Sequence, residues 1–249
     1  MRELEFDAKH EEEKIVNWLR KYVVKNGLQG LVFGISGGVD SAVVAALCKK
    51  AMPKNILGLI MPCHSSSLDV EHAGLVARKL DIPARTVVLD AVYDSFLTLL
   101  DPKADPHTKG DTAAINIKPR LRMVTLYYYA NRLNYVVAGT GNKSEITVGY
   151  FTKYGDGAVD ILPIAHLVKT QVMMLAEHLG VPKEIIEKPP TAGLWGGQTD
   201  EAEMGVTYQE LDEYILTGHT NKPAQDRIER MIRVSKHKRH MPPMVSEEN

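Results

Sequence analysis

The first residues that could do chemistry stand in an unusual glycine turn. Leu31-Val32-Phe33-Gly34-Ile35 reads as a buried strand that stops at Ser36, and Ser36-Gly37-Gly38-Val39-Asp40-Ser41 then leads into an apolar run of helical character. Two glycines let the backbone bend sharply and approach a ligand closely. The amides of the turn and of the helix start, with the helix dipole behind them, make an anion cradle. The common nucleotide loop needs Gly-Lys-Ser/Thr at its end, and no Lys follows here; GxGxxG is absent as well. The informative departure is Asp40. A carboxylate in a phosphate nest repels the phosphate unless a cation lies between them, so the combination points to Mg2+. On local residues alone, a plain turn followed by an N-terminal helix acid accounts for the string equally well.

A second group of candidates lies at 136–172. Gly139-Thr140-Gly141 is another glycine turn at a strand end, and Glu145 follows within reach of an ion bound at Asp40. Two carboxylates with phosphate oxygens and water suit an octahedral Mg2+. Lys153, Asp156 and Asp160 flank Gly155 and Gly157 in a loop with little apolar content, and Lys169 opens a helix from which it could reach a phosphate as a point charge. Any one of these alone reads as a solvated loop charge; their density on one rim argues for a site. Residues 187–206, rich in Pro, Gly and Thr and containing Gly193, Gly196 and Gly197, read as a long loop of the kind that closes over ligands. Neither Ser36 nor Ser41 sits in a GxSxG elbow, so both read as anion donors rather than nucleophiles. Cys48 lies in an apolar helical run, and Cys63 follows a strand. Both read as buried thiols. His64, His107 and His166 have no metal-ligand spacing.

Stepping outward, the elements that would position these residues alternate. Periodicity predicts a helix at 8–25, strands at 31–35, 56–61 and 86–89, and helices at 39–50 and 67–80. A polar loop at 101–114 precedes a helix at 118–133, a strand at 135–138 and a helix at 166–179, and the region 208–240 reads as helical and basic. Glu11, Glu12 and Glu13 read as a solvated helix face. Alternation of this kind implies a parallel sheet with helices on both faces, and such sheets bind ligands beyond the carboxyl ends of their strands. The 249 residues, 44% hydrophobic and 24% charged, are ordinary for a globular protein. A net charge of −1 gives no global field favouring nucleic acid or membrane. Two cysteines without CxxC suggest neither a disulfide framework nor a zinc ribbon, which suits a reducing cytoplasmic compartment. The charged N-terminus lacks an apolar signal region, and no apolar run is long enough to span a bilayer. Arg230, Arg233, Lys236, Lys238 and Arg239 form a basic cluster, but no RNP-like or zinc-knuckle pattern accompanies it.

SGGVDS resembles the pyrophosphate loop of the ATP-pyrophosphatase (PP-loop) superfamily, whose members split ATP between its α and β phosphates and adenylate a substrate. "GT…E…GYFTKYGDG…D…P…L.KTQV", "NIKPRLRMVTLYYYAN" and "KPPTAGLWGGQTDEAEMG" resemble the NAD synthetase family within it, and the resemblance runs from about residue 10 to 240. A GMP synthetase core lacks the 136–172 pattern, and a tRNA thiolase needs reactive cysteines. The resemblance implies a three-layer Rossmann-like α/β fold (adenine nucleotide alpha hydrolase-like) with about five parallel strands, as one domain over 1–249 with no glutaminase domain. It implies ATP-dependent amidation of deamido-NAD by ammonia in a cytoplasmic homodimer, with Mg2+ as cofactor, ATP as cosubstrate, and neither nucleic acid nor membrane as partner. The nitrogen source stays open between free ammonia and the product of a partner.

By the same resemblance, Gly34, Ile35, Ser36, Gly37, Gly38, Val39, Asp40 and Ser41 would form the ATP loop, with Thr140, Lys169 and Thr191 also on ATP. Asp40 and Glu145 would bind Mg2+. Arg120, Lys153, Asp160, His237 and Lys238 would contact deamido-NAD, some of them across the dimer interface. Asp156 would orient or deprotonate ammonium. Tyr127, Tyr128 and Tyr129 read as packing residues on the helix associated with that interface. The "AGLWGGQTDE" loop departs from the "ADL" version of several short members.

Overall fold

The computed structural model describes residues 6–103, 110–191, 193 and 199–245; His107, Gly196 and Gly197 lie outside the described residues. In chain order the elements are α1 (Ala8–Lys25), β1 (Gly30–Gly34), α2 (Val39–Ala51), β2 (Ile56–Ile60), α3 (Ser67–Lys79), β3 (Ala84–Thr86), α4 (Asp90–Leu100), α5 (Thr112–Ile115), α6 (Ile117–Leu133), β4 (Tyr135–Val137), α7 (Lys143–Val148), α8 (Lys169–His178), α9 (Lys183–Ile186), α10 (Asp200–Met204), α11 (Tyr208–Thr217) and α12 (Lys222–Val234). A 3-10 turn (Lys236–Lys238) follows.

The four strands form one parallel sheet in the order β3-β2-β1-β4. Pleating sends Leu31, Phe33 and Ile35 into a core built with α1, α2, α3 and α8, while Val32 joins Leu59 and Val137 in a second core under α4 and α6. Three layers result, with the sheet in the middle. Residues 42–48 of α2 are all buried, because that helix is covered on every side by the sheet, α1 and α8. A smaller third cluster, including Val148, Met204, Leu211 and Ile228, packs α7, α10, α11 and α12 together.

The chain leaves β1 towards β2 on one side and later returns as β4 on the other. The carboxyl ends of β1 and β4 are therefore the switch point of the sheet, where parallel α/β folds open a crevice. The turns 36–41 and 139–142 both emerge there.

Four sequence expectations change. The sheet has four strands rather than about five: among the described residues a further strand is represented by the isolated parallel bridge Ala138↔Ile161, and Pro163, which has no amide hydrogen, lies two residues on. The third strand sits at Ala84–Thr86 rather than 86–89, because Gly58 N–H already donates to Pro83 O and Ile82 is tucked into the first core. This edge strand is exposed throughout, so no apolar run marks it. Residues 90–100, which the sequence reading gave no element, form helix α4: Tyr93, Phe96, Leu97 and Leu100 recur at helical spacing, and Tyr93 and Leu97, one turn apart, enter the second core. Finally, Glu11 and Glu12 are not merely a solvated face. Glu11 meets Lys14 and His166, and Glu12 meets Lys50 and His178, fastening α1 to its neighbours.

Candidate active site

The glycine turn between β1 and α2 is held by its own hydroxyls. Ser36 N–H donates to Ser41 Oγ (3.1 Å), the two hydroxyls lie 3.0 Å apart, Ser41 O–H donates to Gly38 O (2.9 Å), and Gly38 N–H points to Ser36 Oγ (3.3 Å). Gly37 has φ +80°, and a Cβ there would stand 2.5 Å from Asp69 O, so no other residue fits between the turn and α3. The first intrahelical donor is Ala42 N–H, to Gly38 O (3.1 Å). The amides just before it belong to the first turn, which has no intrahelical acceptors, and are the donors an anion at the cradle would use. Ser41 is buried, and its hydroxyl is engaged with Gly38 O and the Ser36 hydroxyl, so it also braces the cradle it lines.

Asp40 and Glu145 converge from opposite sides of the switch point, on α2 and α7. A single residue sets both. Asn142 is fully buried; its amide donates to Asp40 Oδ1 (3.0 Å), and its carbonyl oxygen accepts from Glu145 N–H (3.0 Å) as the N-cap of α7. Asn142 N–H points back to Glu145 Oε2 (3.4 Å), closing a capping box. Between the two acids lies Lys169, the first residue of α8. Its ammonium is ion-paired with Asp40 and stands 3.7 Å from Glu145 Oε1, with the Tyr208 ring 4.9 Å away. The start of α8 is fixed by Ser144 Oγ, which accepts from Lys169 N–H, and by Asp212, which accepts from Thr170 N–H (2.8 Å).

The electrostatics follow from this crowding. Burial, then the adjacent Asp40 carboxylate, pushes the Glu145 carboxyl up to about 8 against the pull of Lys169. Burial disfavours the Lys169 ammonium, yet Asp40 and Glu145 outweigh it and hold that group above its ordinary value. Two carboxylates that already share one positive charge next to a phosphate-shaped cradle are a donor set suited to a hard dication.

These groups open on a cavity of about 710 Å3, within the usual range for a nucleotide-sized ligand. Arg120, Thr140, Lys153, Asp156, Thr191 and the pair His237-Lys238 also line it, as does every residue of the 34–41 stretch except Gly37. Asp160 does not: its carboxylate accepts from Val137 N–H (2.8 Å) and Tyr127 O–H (3.0 Å), tying the 153–160 loop to β4 and α6. Lys238 reaches the rim, but its ammonium donates to Gly149 O and Phe151 O (2.8 and 2.7 Å), so it braces the loop. Lys153 donates to His237 O (2.8 Å), and Arg120 leans on Lys153 O (3.4 Å). Asp156 accepts from Thr152 N–H (2.9 Å).

Several residues escaped the sequence reading. Asn142 could have been found, since N-x-x-E before an apolar segment is a capping-box signature. Asp200 and Tyr208 carry no such mark; the fold brings the Tyr208 hydroxyl to Glu145, with Asp200 on its other side. The same holds for Lys188, which is ion-paired with Asp69 beside the glycine turn.

This geometry has relatives. Residues 11–242 match the NAD synthase family. The chain belongs to that family. A relative from Carboxydothermus hydrogenoformans, named NH(3)-dependent NAD(+) synthetase, is 53% identical over 92% of this chain and 94% of its own. Among solved structures, that of an NMN synthetase from Francisella tularensis superposes with a TM-score of 0.91 at 40% identity, covering 97% of this chain and 99% of that one. An NH3-dependent NAD synthetase from Campylobacter jejuni, in complex with nitrate, superposes with a TM-score of 0.79 at 29% identity over 96% and 100%.

Proposed function

We propose that the chain amidates deamido-NAD with ammonia at the expense of ATP, releasing AMP and pyrophosphate. The observation that carries this reading is the meeting of Asp40, Glu145 and Lys169 beside the glycine cradle at the sheet's switch point. A carboxylate is a poor electrophile, because attack by ammonia would have to expel oxide. Adenylation removes that obstacle: a nicotinate oxygen attacks the α phosphorus of ATP, the bond to the β-phosphate bridge breaks, and pyrophosphate leaves into the cradle of first-turn amides of α2. Ammonia then attacks the acyl carbon, AMP departs with the carboxylate oxygen, and the nitrogen sheds a proton. Asp40 and Glu145 would hold a Mg2+, whose charge offsets that gathering on the phosphates. Lys169, now shared between the two acids, is in place to turn its ammonium to a phosphate oxygen. Arg120, Lys153 and His237 surround the acceptor end of the cavity, and Asp156 is the acid available there to take the ammonium proton. Much of the rate enhancement comes from positioning and electrostatics, since no protein nucleophile is needed.

A homodimer suits the surface. Val92, Phe96, Leu99 and Leu100 of α4 are exposed together, Leu99 to 82%, and Val124 and Tyr128 of α6 are exposed too. An apolar strip of this kind is covered by a second copy of the chain, which would also extend the acceptor site. Among the described residues no helix is long and apolar enough to cross a membrane; a cytoplasmic ligase fits.

One observation favours a second acceptor. The superposition on the Francisella NMN synthetase, TM-score 0.91, is tighter than that on the Campylobacter NAD synthetase, 0.79. The deamidated mononucleotide offers the same nicotinate carboxylate without the adenylate half. The test is a competition: purified protein, ATP, Mg2+ and ammonium with deamido-NAD and the mononucleotide together, the two amides separated chromatographically. Predominant NAD supports the proposal, predominant NMN transfers it to the shorter acceptor, and neither product overturns the amidation reading.

A further inference from the structure

The hydroxyl of Tyr208, at the start of α11, lies 3.2 Å from Glu145 Oε1 and 3.0 Å from Asp200 Oδ2. The Tyr150 hydroxyl lies 3.1 Å from the other oxygen of Asp200 and 2.8 Å from Glu203. Tyr208 is itself buried in the third cluster, its backbone N–H donates to Glu201 Oε1 (2.8 Å), and its ring lies 4.9 Å from the Lys169 ammonium. A single side chain therefore touches one acid of the cation pair, the lysine between that pair, and the acid that opens α10. The ring is packed in that cluster.

We propose that Tyr208 is a positioning residue for the cation site: its hydroxyl ties Glu145 to Asp200, and its ring keeps Lys169 on the side of Asp40. The inference rests on the reading of Asp40 and Glu145 as the Mg2+ carboxylates. Asn142 constrains Glu145 from the α7 side through Oε2; Tyr208 constrains the same carboxylate from the α11 side through Oε1. With both in place the carboxylate plane is fixed. With Tyr208 lost, Oε1 swings freely and the dication meets a disordered ligand, the kind of loss that outer-shell partners of metal ligands produce. Phe at this position removes the hydroxyl and keeps the ring over Lys169.

The experiment is calorimetric titration of the whole protein with a non-hydrolysable ATP analogue at stepped Mg2+ concentrations, comparing wild type with Tyr208→Phe. It needs no acceptor and no turnover. We expect the Mg2+ concentration for half-maximal binding to rise about tenfold in Y208F, with binding at saturating Mg2+ restored and one site per chain in both proteins. A general loss of fold would lower the number of sites and leave the Mg2+ midpoint in the remainder unchanged. An unchanged midpoint in Y208F, or a Y208F protein with no sites at any Mg2+ concentration, overturns the inference and leaves the ATP site standing. Wild-type protein whose analogue binding ignores Mg2+ overturns the cation-site reading and this inference with it.

Discussion

Asn142 is the residue whose replacement separates two effects most cleanly. It is fully buried, it caps α7 through Glu145 N–H, and it is the amide donor to Asp40 Oδ1. Asn142→Ser keeps an N-cap oxygen and loses the donor to Asp40; Asn142→Ala loses both. Removing an N-cap costs about 1 kcal/mol. Stripping Asp40 of a hydrogen-bond donor costs about 1 kcal/mol, the low end for a buried acceptor, because that side chain keeps some contact with solvent and its ion pair with Lys169. The serine variant is then less stable by about 1 kcal/mol and the alanine variant by about 2 kcal/mol. For a chain of this length these translate to melting temperatures roughly 2–4 °C and roughly 4–8 °C below wild type. The site responds differently: both variants leave Asp40 free to turn, so both raise the Mg2+ concentration for half-maximal activity by about tenfold or more. The assays are differential scanning fluorimetry and initial rates over a Mg2+ series at saturating ATP. A serine variant with wild-type Mg2+ dependence would refute the claim that Asn142 aims Asp40. Equal melting temperatures for the two variants would refute the capping contribution.

Two further outcomes are expected. Burial pushes the Cys63 thiol up to about 11 and the Cys48 thiol higher still, and a raised thiol value favours the protonated, unreactive form at every pH below it; the native protein should therefore resist iodoacetamide at pH 8, both cysteines alkylating only after guanidinium unfolding, and rapid native labelling at Cys63 would contradict the packing described. The proposed dimer through α4 predicts that Leu99→Asp, which puts a charge in the exposed apolar strip, sediments as a monomer at concentrations where wild type sediments as a dimer; monomeric wild type contradicts the proposed dimer, and a dimeric variant contradicts the α4 interface.

Much of this fold was legible because β1, β2 and β4 are short apolar runs with clear stops at Ser36, Pro62 and Gly139: these strands and helices α2, α3 and α6 begin and end within a residue or two of their periodicity. What escaped obeyed other rules. The edge strand β3 is exposed along its three residues and so has no apolar run, and α4 carries apolar residues on its outer face as well, with Val92, Phe96, Leu99 and Leu100 exposed. At the site, the residues of the two glycine turns were readable from type and spacing, since the sheet's topology brings strand ends together. The roles of Asp160 and Lys238 were not, because each is taken up by backbone groups that only the folded loops present. Tyr208 and Asp200 were invisible for a related reason: Glu145, the partner of Tyr208, and Tyr150, a partner of Asp200, are each at least fifty residues away in the chain, and no local pattern links them.

The central claim is that the acceptor carboxylate is adenylated before nitrogen enters. Deamido-NAD carrying 18O in its nicotinate carboxylate, turned over with ATP, Mg2+ and ammonium, tests it in one mass spectrum. If the carboxylate attacks the α phosphorus, one labelled oxygen leaves with AMP, and pyrophosphate stays unlabelled. Label found instead in pyrophosphate or orthophosphate, or unlabelled AMP formed alongside NAD, would contradict the account.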